Sequence, residues 1–164
     1  MSSPKSNCLK EQELCKSCGF CCDGTLFNYA SSYKDDLILD KMEQTVINNE
    51  YWIKLPCAYF CGSCTVYDKQ RPSICGDFKC QLLTDMSKGV IDFNEAQNLI
   101  QKVTQQRNRI ELLLKSDKGT TVKQAMLDFQ NKHKSDWDTT EFRMKYANVL
   151  MELASFNSKL SKFI

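Results

Sequence analysis

Residues 15–22 read Cys15-Lys16-Ser17-Cys18-Gly19-Phe20-Cys21-Cys22, four thiols in eight positions. Downstream come Cys57, Cys61, Cys64, Cys75 and Cys80; upstream there is only Cys8. The 164-residue chain thus carries ten cysteines, nine of them between Cys15 and Cys80, and none after that. Soft thiolates at two-residue gaps are how a chain surrounds zinc or an iron–sulfur cluster. Residues 1–92 are therefore read as a Cys-rich, irregular, metal-binding part. Residues 93–164 are free of Cys and patterned for helices.

Composition narrows the class. The length suits one domain with a sizeable core. With 22 basic and 20 acidic residues the net charge is only +2, which argues against a strongly electrostatic partner such as duplex DNA. No run of about 18 apolar residues exists, so no membrane span is expected. Met1-Ser2-Ser3-Pro4-Lys5-Ser6-Asn7-Cys8 lacks an apolar stretch, so no signal peptide is expected either. A cytoplasmic setting, where thiols stay reduced, follows as the expectation, with metal ligation rather than a disulfide framework.

The second half is well punctuated. Asp92-Phe93-Asn94-Glu95 predicts a capping box that opens a helix. Ala96, Leu99, Ile100, Val103, Ile110 and Leu114 form its apolar stripe, and Gly119 is its expected stop. Thr121–Gln124 predicts a second box, before Val122, Ala125, Met126 and Phe129. Asp138–Glu141 predicts a third, before Phe142, Tyr146, Val149, Leu150, Leu153 and Leu160. Three amphipathic helices over 92–164 are expected to pack as core rather than recruit a partner. In the first half, short strands are expected over 25–30 and 51–55, and a helix from Ser32 to about Asn48 through Leu37, Ile38, Met42 and Val46. The expected fold class is mainly α. An irregular Cys-rich lobe (15–80), with short strands at most, packs against a three-helix C-terminal lobe (92–164) in a single domain, 1–164.

Cys15, Cys18 and Cys21 recur every third residue, as in the CxxCxxC run of bacterial ferredoxins, which takes a fourth ligand from elsewhere. Cys61-Gly62-Ser63-Cys64 has a knuckle spacing that also suits zinc. Gly19 and Gly62 allow tight turns that aim backbone N–H groups at sulfur. Cys21 and Cys22 are adjacent, and neighbouring side chains diverge, so both reaching one small tetrahedral ion is awkward. Two metal sites, or one four-iron cluster with a spare thiol, are the alternatives. Either leaves net negative charge, which Lys16, Lys54, Lys69, Arg71 and Lys79 could partly offset. Softness does not choose between zinc and iron–sulfur. The sole histidine, His133 in Lys132-His133-Lys134, is read as an exposed basic residue near a helix C-terminus. No Walker A, GxGxxG or HExxH motif occurs.

Cys15-x2-Cys18-x2-Cys21-Cys22, then Pro56-Cys57, Cys64-Thr65-Val66-Tyr67, Arg71-Pro72, Cys75 and Phe78 resemble the CxxCxxCC zinc- or iron-chelating domains, the YkgJ-like cysteine-cluster proteins. The resemblance covers about residues 15–80. It implies Cys15, Cys18, Cys21, Cys22, Cys57, Cys64 and Cys75 as ligands, with Cys80 the natural eighth. Cys8 and Cys61 fit less well, and Cys61 competes with Cys57 for a partnership with Cys64. Tyr67 is expected beside the site or as a core aromatic. Pro72 fixes a turn. Arg71 is expected to donate to thiolate sulfur or to an anionic ligand, with a surface ion pair as the plain alternative. Flagellin lysine-N-methylases are similar in this motif, which implies iron–sulfur-dependent methyl transfer as one possible activity class.

The functional expectation is a cysteine-cluster metalloprotein holding zinc or iron, the metal being structural or handled for a protein or peptide partner. An iron–sulfur-dependent enzyme with a [4Fe–4S] cluster is the alternative. A nucleic-acid adaptor ranks last, because basic and aromatic residues are not interleaved for base stacking.

Overall fold

The computed structural model describes residues 4–117 and 119–164, with side chains described from residue 10 onward; the Cys8 thiol lies outside the described residues. Helix α1 spans Pro4–Cys18. Strands β1 (Tyr29–Ser32), β2 (Gln44–Ile47) and β3 (Glu50–Lys54) follow. After them come α2 (Ile74–Asp77), α3 (Gln81–Ser87), α4 (Phe93–Leu114), α5 (Val122–Lys132), α6 (Thr140–Lys145) and α7 (Ala147–Leu160). The chain is mainly helical, with one antiparallel sheet of order β1-β3-β2.

The long helix α4 organises the rest. Its Asp92–Glu95 capping box forms as expected, each side chain taking the other's backbone N–H at 2.8 Å. Ala96, Val103 and Ile110 are fully buried against α7, α5, α1 and α3. The helix stops earlier than Gly119: Lys115 takes the left-handed conformation, φ 52°, and closes the last carbonyls. Thr121 caps α5 by accepting from Gln124 N–H. At the third predicted start the cap is Thr139, accepting from Phe142 N–H, rather than Asp138. The chain then breaks at Tyr146 (φ −110°, ψ 18°), so the described residues of 92–164 form four helices where three were expected.

Two other expectations fail in the first half. No helix spans residues 32–48. Leu37 and Val46 are exposed there, so the apolar spacing meets no core. Asn48 and Asn49 both have positive φ, 53° and 65°, the backbone of a two-residue hairpin turn, and β2 folds back onto β3. The strand expected over 25–30 begins only at Tyr29, because Thr25 and Leu26 are buried in the core instead. The strand expected over 51–55 is present as β3.

Residues 4–18 are helical rather than irregular. Their sequence has no long apolar stripe; among the described side chains, Leu14 is buried and Cys15 and Cys18 are half-buried against the core. One hydrophobic core joins both halves. Leu14, Phe20, Leu26, Leu82, Leu83 and Met86 pack with Ala96, Val103, Ile110, Leu153, Phe156 and Phe163. The Cys-rich part therefore sits on the helices through shared apolar burial.

Candidate metal centre

Cys15 and Cys18 lie one turn apart in the last turn of α1, on neighbouring positions of one face. The helix ends at Gly19, φ +66°, a conformation that disfavours any other residue; a Cβ there would also run into the Phe60 ring. The N–H groups of Cys22 and Asp23 both donate to the Gly19 carbonyl, at 2.7 and 2.8 Å, and so wind Cys21 and Cys22 into a tight turn. The second segment is pinned to this turn. Cys57 N–H donates to the Cys22 carbonyl at 2.7 Å, and Cys64 N–H to the Lys16 carbonyl at 3.2 Å. In the third segment, Cys75 N–H donates to the carbonyl of the buried Pro72 at 3.0 Å. Cys80 is the N-cap residue of α3.

These segments bring all eight expected ligand positions to the walls of two adjoining cavities. The smaller, about 30 Å³, is lined by Cys15, Cys18, Cys21 and Cys80 among Leu14, Phe20, Leu82 and Phe163. The larger, about 350 Å³, is lined by Cys22, Cys57, Cys64 and Cys75 and shares Cys15 and Cys21 with the first. Its opposite wall is the sheet, with Ala30, Trp52 and Ile53. Tyr67 and Arg71 line it too. Cys61 is exposed and lines neither cavity. His133 lines neither. It is half-buried rather than exposed, at the C-cap of α5, against Phe129, Phe142 and Tyr146.

All nine described cysteines are free thiols. Burial, then the proximity of Cys21 and Cys80, pushes the Cys15 thiol up to about 11. Burial and then Cys57 push Cys75 up to about 11. Burial raises Cys18, Cys57 and Cys80 as well. In the adjacent pair, the neighbouring Cys22 thiol lowers Cys21, while Cys21 and then burial raise Cys22. Crowded, buried thiols disfavour their own anions unless a cation joins them.

The cations expected to help are mostly occupied. Lys16 pairs with Asp68 at 3.0 Å, Lys54 with Glu43 at 3.1 Å and Lys79 with Glu11 at 4.0 Å. Lys69 is exposed. Arg71 alone of the five lines a thiol cavity, its guanidinium stacked 4.1 Å from the Tyr67 ring centre. It favours the anionic forms of both Cys15 and Cys75, and the nearby Tyr67 also lowers Cys15.

Three supports had no readable signal in the sequence. Arg107 of α4 forms an ion pair with Asp23, directly after Cys22, and donates to Thr25 Oγ1 at 3.3 Å. Lys123 of α5 donates to the Leu26 carbonyl at 2.9 Å. Near the C-terminus, the Phe163 carbonyl accepts from Gln81 N–H at 3.1 Å, and its ring packs 5.3 Å from that of Phe20.

The donor atoms of these eight positions are thiol sulfur, the soft ligand type that suits zinc or iron–sulfur chemistry. Among the described residues, no group of three Cys, His, Asp or Glu side chains is already arranged around one point as a metal ion requires. No family model, curated protein or solved structure matches the chain.

Proposed function

We propose that this chain is a cysteine-cluster metalloprotein that holds zinc or iron through Cys15, Cys18, Cys21, Cys22, Cys57, Cys64, Cys75 and Cys80. The metal is structural, or is handled for a protein or peptide partner. One observation carries the reading: four separate chain segments deliver eight thiols, and no disulfide, to two adjoining cavities. Buried cysteines also serve as small hydrophobes, but apolar packing needs no such crowding of one residue type. A bound soft cation would stabilise the thiolates and cross-link the four segments. The motif's resemblance to the CxxCxxCC chelating domains supports the same reading, and free thiols suit a reducing compartment such as the cytosol. Arg71 serves as counter-charge to the thiolates, held in place by its stack on Tyr67.

The test is metal and sulfide analysis, with a visible spectrum, on anaerobically prepared protein. A colourless protein with stoichiometric zinc, or a brown one with iron and sulfide, is the expected result. Protein that stays metal-free after zinc and iron–sulfide reconstitution, with its thiols all open to titration, rules the reading out. The chamber beside the thiols favours a second reading, an iron–sulfur-dependent enzyme, because a purely structural centre needs no adjoining space of about 350 Å³. Only the brown, sulfide-bearing outcome keeps that reading alive.

A further inference from the structure

The larger cavity, about 350 Å³, has walls that the thiols do not account for. Phe27, Met42, Trp52, Ile53, Val66 and Phe78 line it, brought in by β3, by the loops on either side of the sheet and by the C-cap of α2. An apolar chamber of this size with a few polar groups is the usual form of a small-molecule site. No Lys, His, Asp or Glu is among its lining residues, and Arg71 is the one permanently charged side chain there. Arg71 also differs from the other arginines of the chain. Arg107 pairs with Asp23, Arg109 with Glu152 and Arg143 with Asp138, whereas Arg71 has no carboxylate partner among the described residues. Its guanidinium is stacked 4.1 Å from the Tyr67 ring centre. A stack of this kind holds the guanidinium by its face, and the N–H donors point outward in its plane.

We propose that this chamber binds a small organic acid, Arg71 holding its single carboxylate and the apolar walls enclosing an aromatic or branched hydrocarbon body. A planar carboxylate matches the guanidinium fork, which grips both oxygens through parallel N–H···O bonds. A dianion such as a phosphate ester suits the chamber less, because one cation offsets one charge and the apolar walls leave the other unpaired. A neutral hydrocarbon would leave Arg71 with no anion at all. For the body, Trp52 and the edge-on pair Phe27 and Phe78, ring centres 5.4 Å apart, supply aromatic surface. The inference does not rest on the thiols as metal ligands. A guanidinium carries several donors, so facing the thiols does not exhaust them.

The experiment titrates phenylacetate into the full chain, reduced and prepared anaerobically. Calorimetry reads the affinity, and the indole N–H signals in an isotope-labelled sample locate it. The chain has two tryptophans: Trp52 lines the chamber, while Trp137 packs elsewhere, against Phe129. A saturable shift of the Trp52 signal is expected, with Trp137 unmoved. Phenylacetamide, of the same shape without the charge, and Arg71→Gln should each weaken binding about tenfold or more, as loss of a charge-assisted hydrogen bond does. Arg71→Lys keeps the charge but loses the fork, and should fall between. Ala30→Leu, which fills the chamber from the sheet side, should abolish binding. No saturable shift at Trp52 with millimolar phenylacetate overturns the site. Equal shifts at both indoles overturn it too, since they place the binding outside the chamber. Equal affinity for acid and amide overturns the carboxylate anchor, and that comparison, made on the unaltered chain, stands even where Arg71→Gln fails to fold. The metal reading is decided separately, by metal analysis.

Discussion

Cys21 and Cys22 show how much one bond in the sequence can carry. Adjacent side chains diverge, and here Cys21 borders both cavities while Cys22 borders only the larger. The turn that presents them is gripped from the far side of the molecule by the Arg107–Asp23 ion pair, both side chains mostly buried. Arg107→Ala should therefore cost about 1–3 kcal/mol, as loss of a partly buried charged hydrogen bond does, read as a lower urea midpoint. An unchanged midpoint would show that the turn holds its shape without α4. Gln106 is a second polar anchor, 2% exposed inside the α4–α7 interface. Its amide donates to Glu152 Oε2 at 2.8 Å and its carbonyl accepts from Lys159 at 2.6 Å. The Gln106 hydrogen bond is the main reason the Glu152 carboxyl lies below its ordinary range, with Arg109 also contributing. A depressed carboxylate adds stability above its unfolded value, about 4.3, and loses it as pH falls through the folded value. The melting difference between wild type and Gln106→Met should thus be largest near neutrality and shrink below about pH 4.3. A difference that stays flat from pH 7 to 3 would assign the whole effect to packing.

Among the elements, α4 was the most legible, because a reciprocal cap and a 3.6-residue stripe agree on it. Asp92→Ala removes an acceptor for Glu95 N–H and should cost about 1 kcal/mol in thermal or denaturant unfolding. A cost near zero would mean that the neighbouring turns satisfy the helix end unaided. Residues 32–48 misled for the opposite reason. Leu37, Ile38, Met42 and Val46 have helical spacing, yet Asn48-Asn49 is a hairpin turn, and its left-handed backbone ties that segment to β3. Among its described side chains, helix α1 packs on the core through Leu14, Cys15 and Cys18, and the two cysteines were weighed as ligands and not as packing residues.

For the whole molecule, the helices clamp the cysteine segments. Phe163 makes this concrete: fully buried, it plugs the core beside Cys18 and Cys80. Phe163→Ala should cost about 3–5 kcal/mol, as large core truncations do, a large share of the roughly 5–15 kcal/mol that holds a domain together. Near-native melting of that variant would show that the chain end is dispensable to the core. Of the candidate site, the clustering of thiols was legible in the sequence, since spacing within a segment is a local property, whereas Tyr67 and Arg71 were named through the motif's resemblance; the structure puts both at the larger cavity. Arg107, Phe163 and the sheet wall could not be read from the sequence, because each reaches the site only through contacts between residues far apart along the chain.

The sequence by itself determined the chemistry and the mainly helical character: thiols at two-residue gaps, one histidine with no second to join it, and apolar periodicity after residue 92. Only the tertiary structure decided which thiols share a cavity. Cys80 lies just five residues after Cys75, yet it lines the smaller cavity with Cys18 while Cys75 lines the larger one beside Cys57. The physical reason is that Cys80 heads a helix whose Leu82, Leu83 and Met86 are drawn into the common core, whereas Cys75 rides on a short turn outside it.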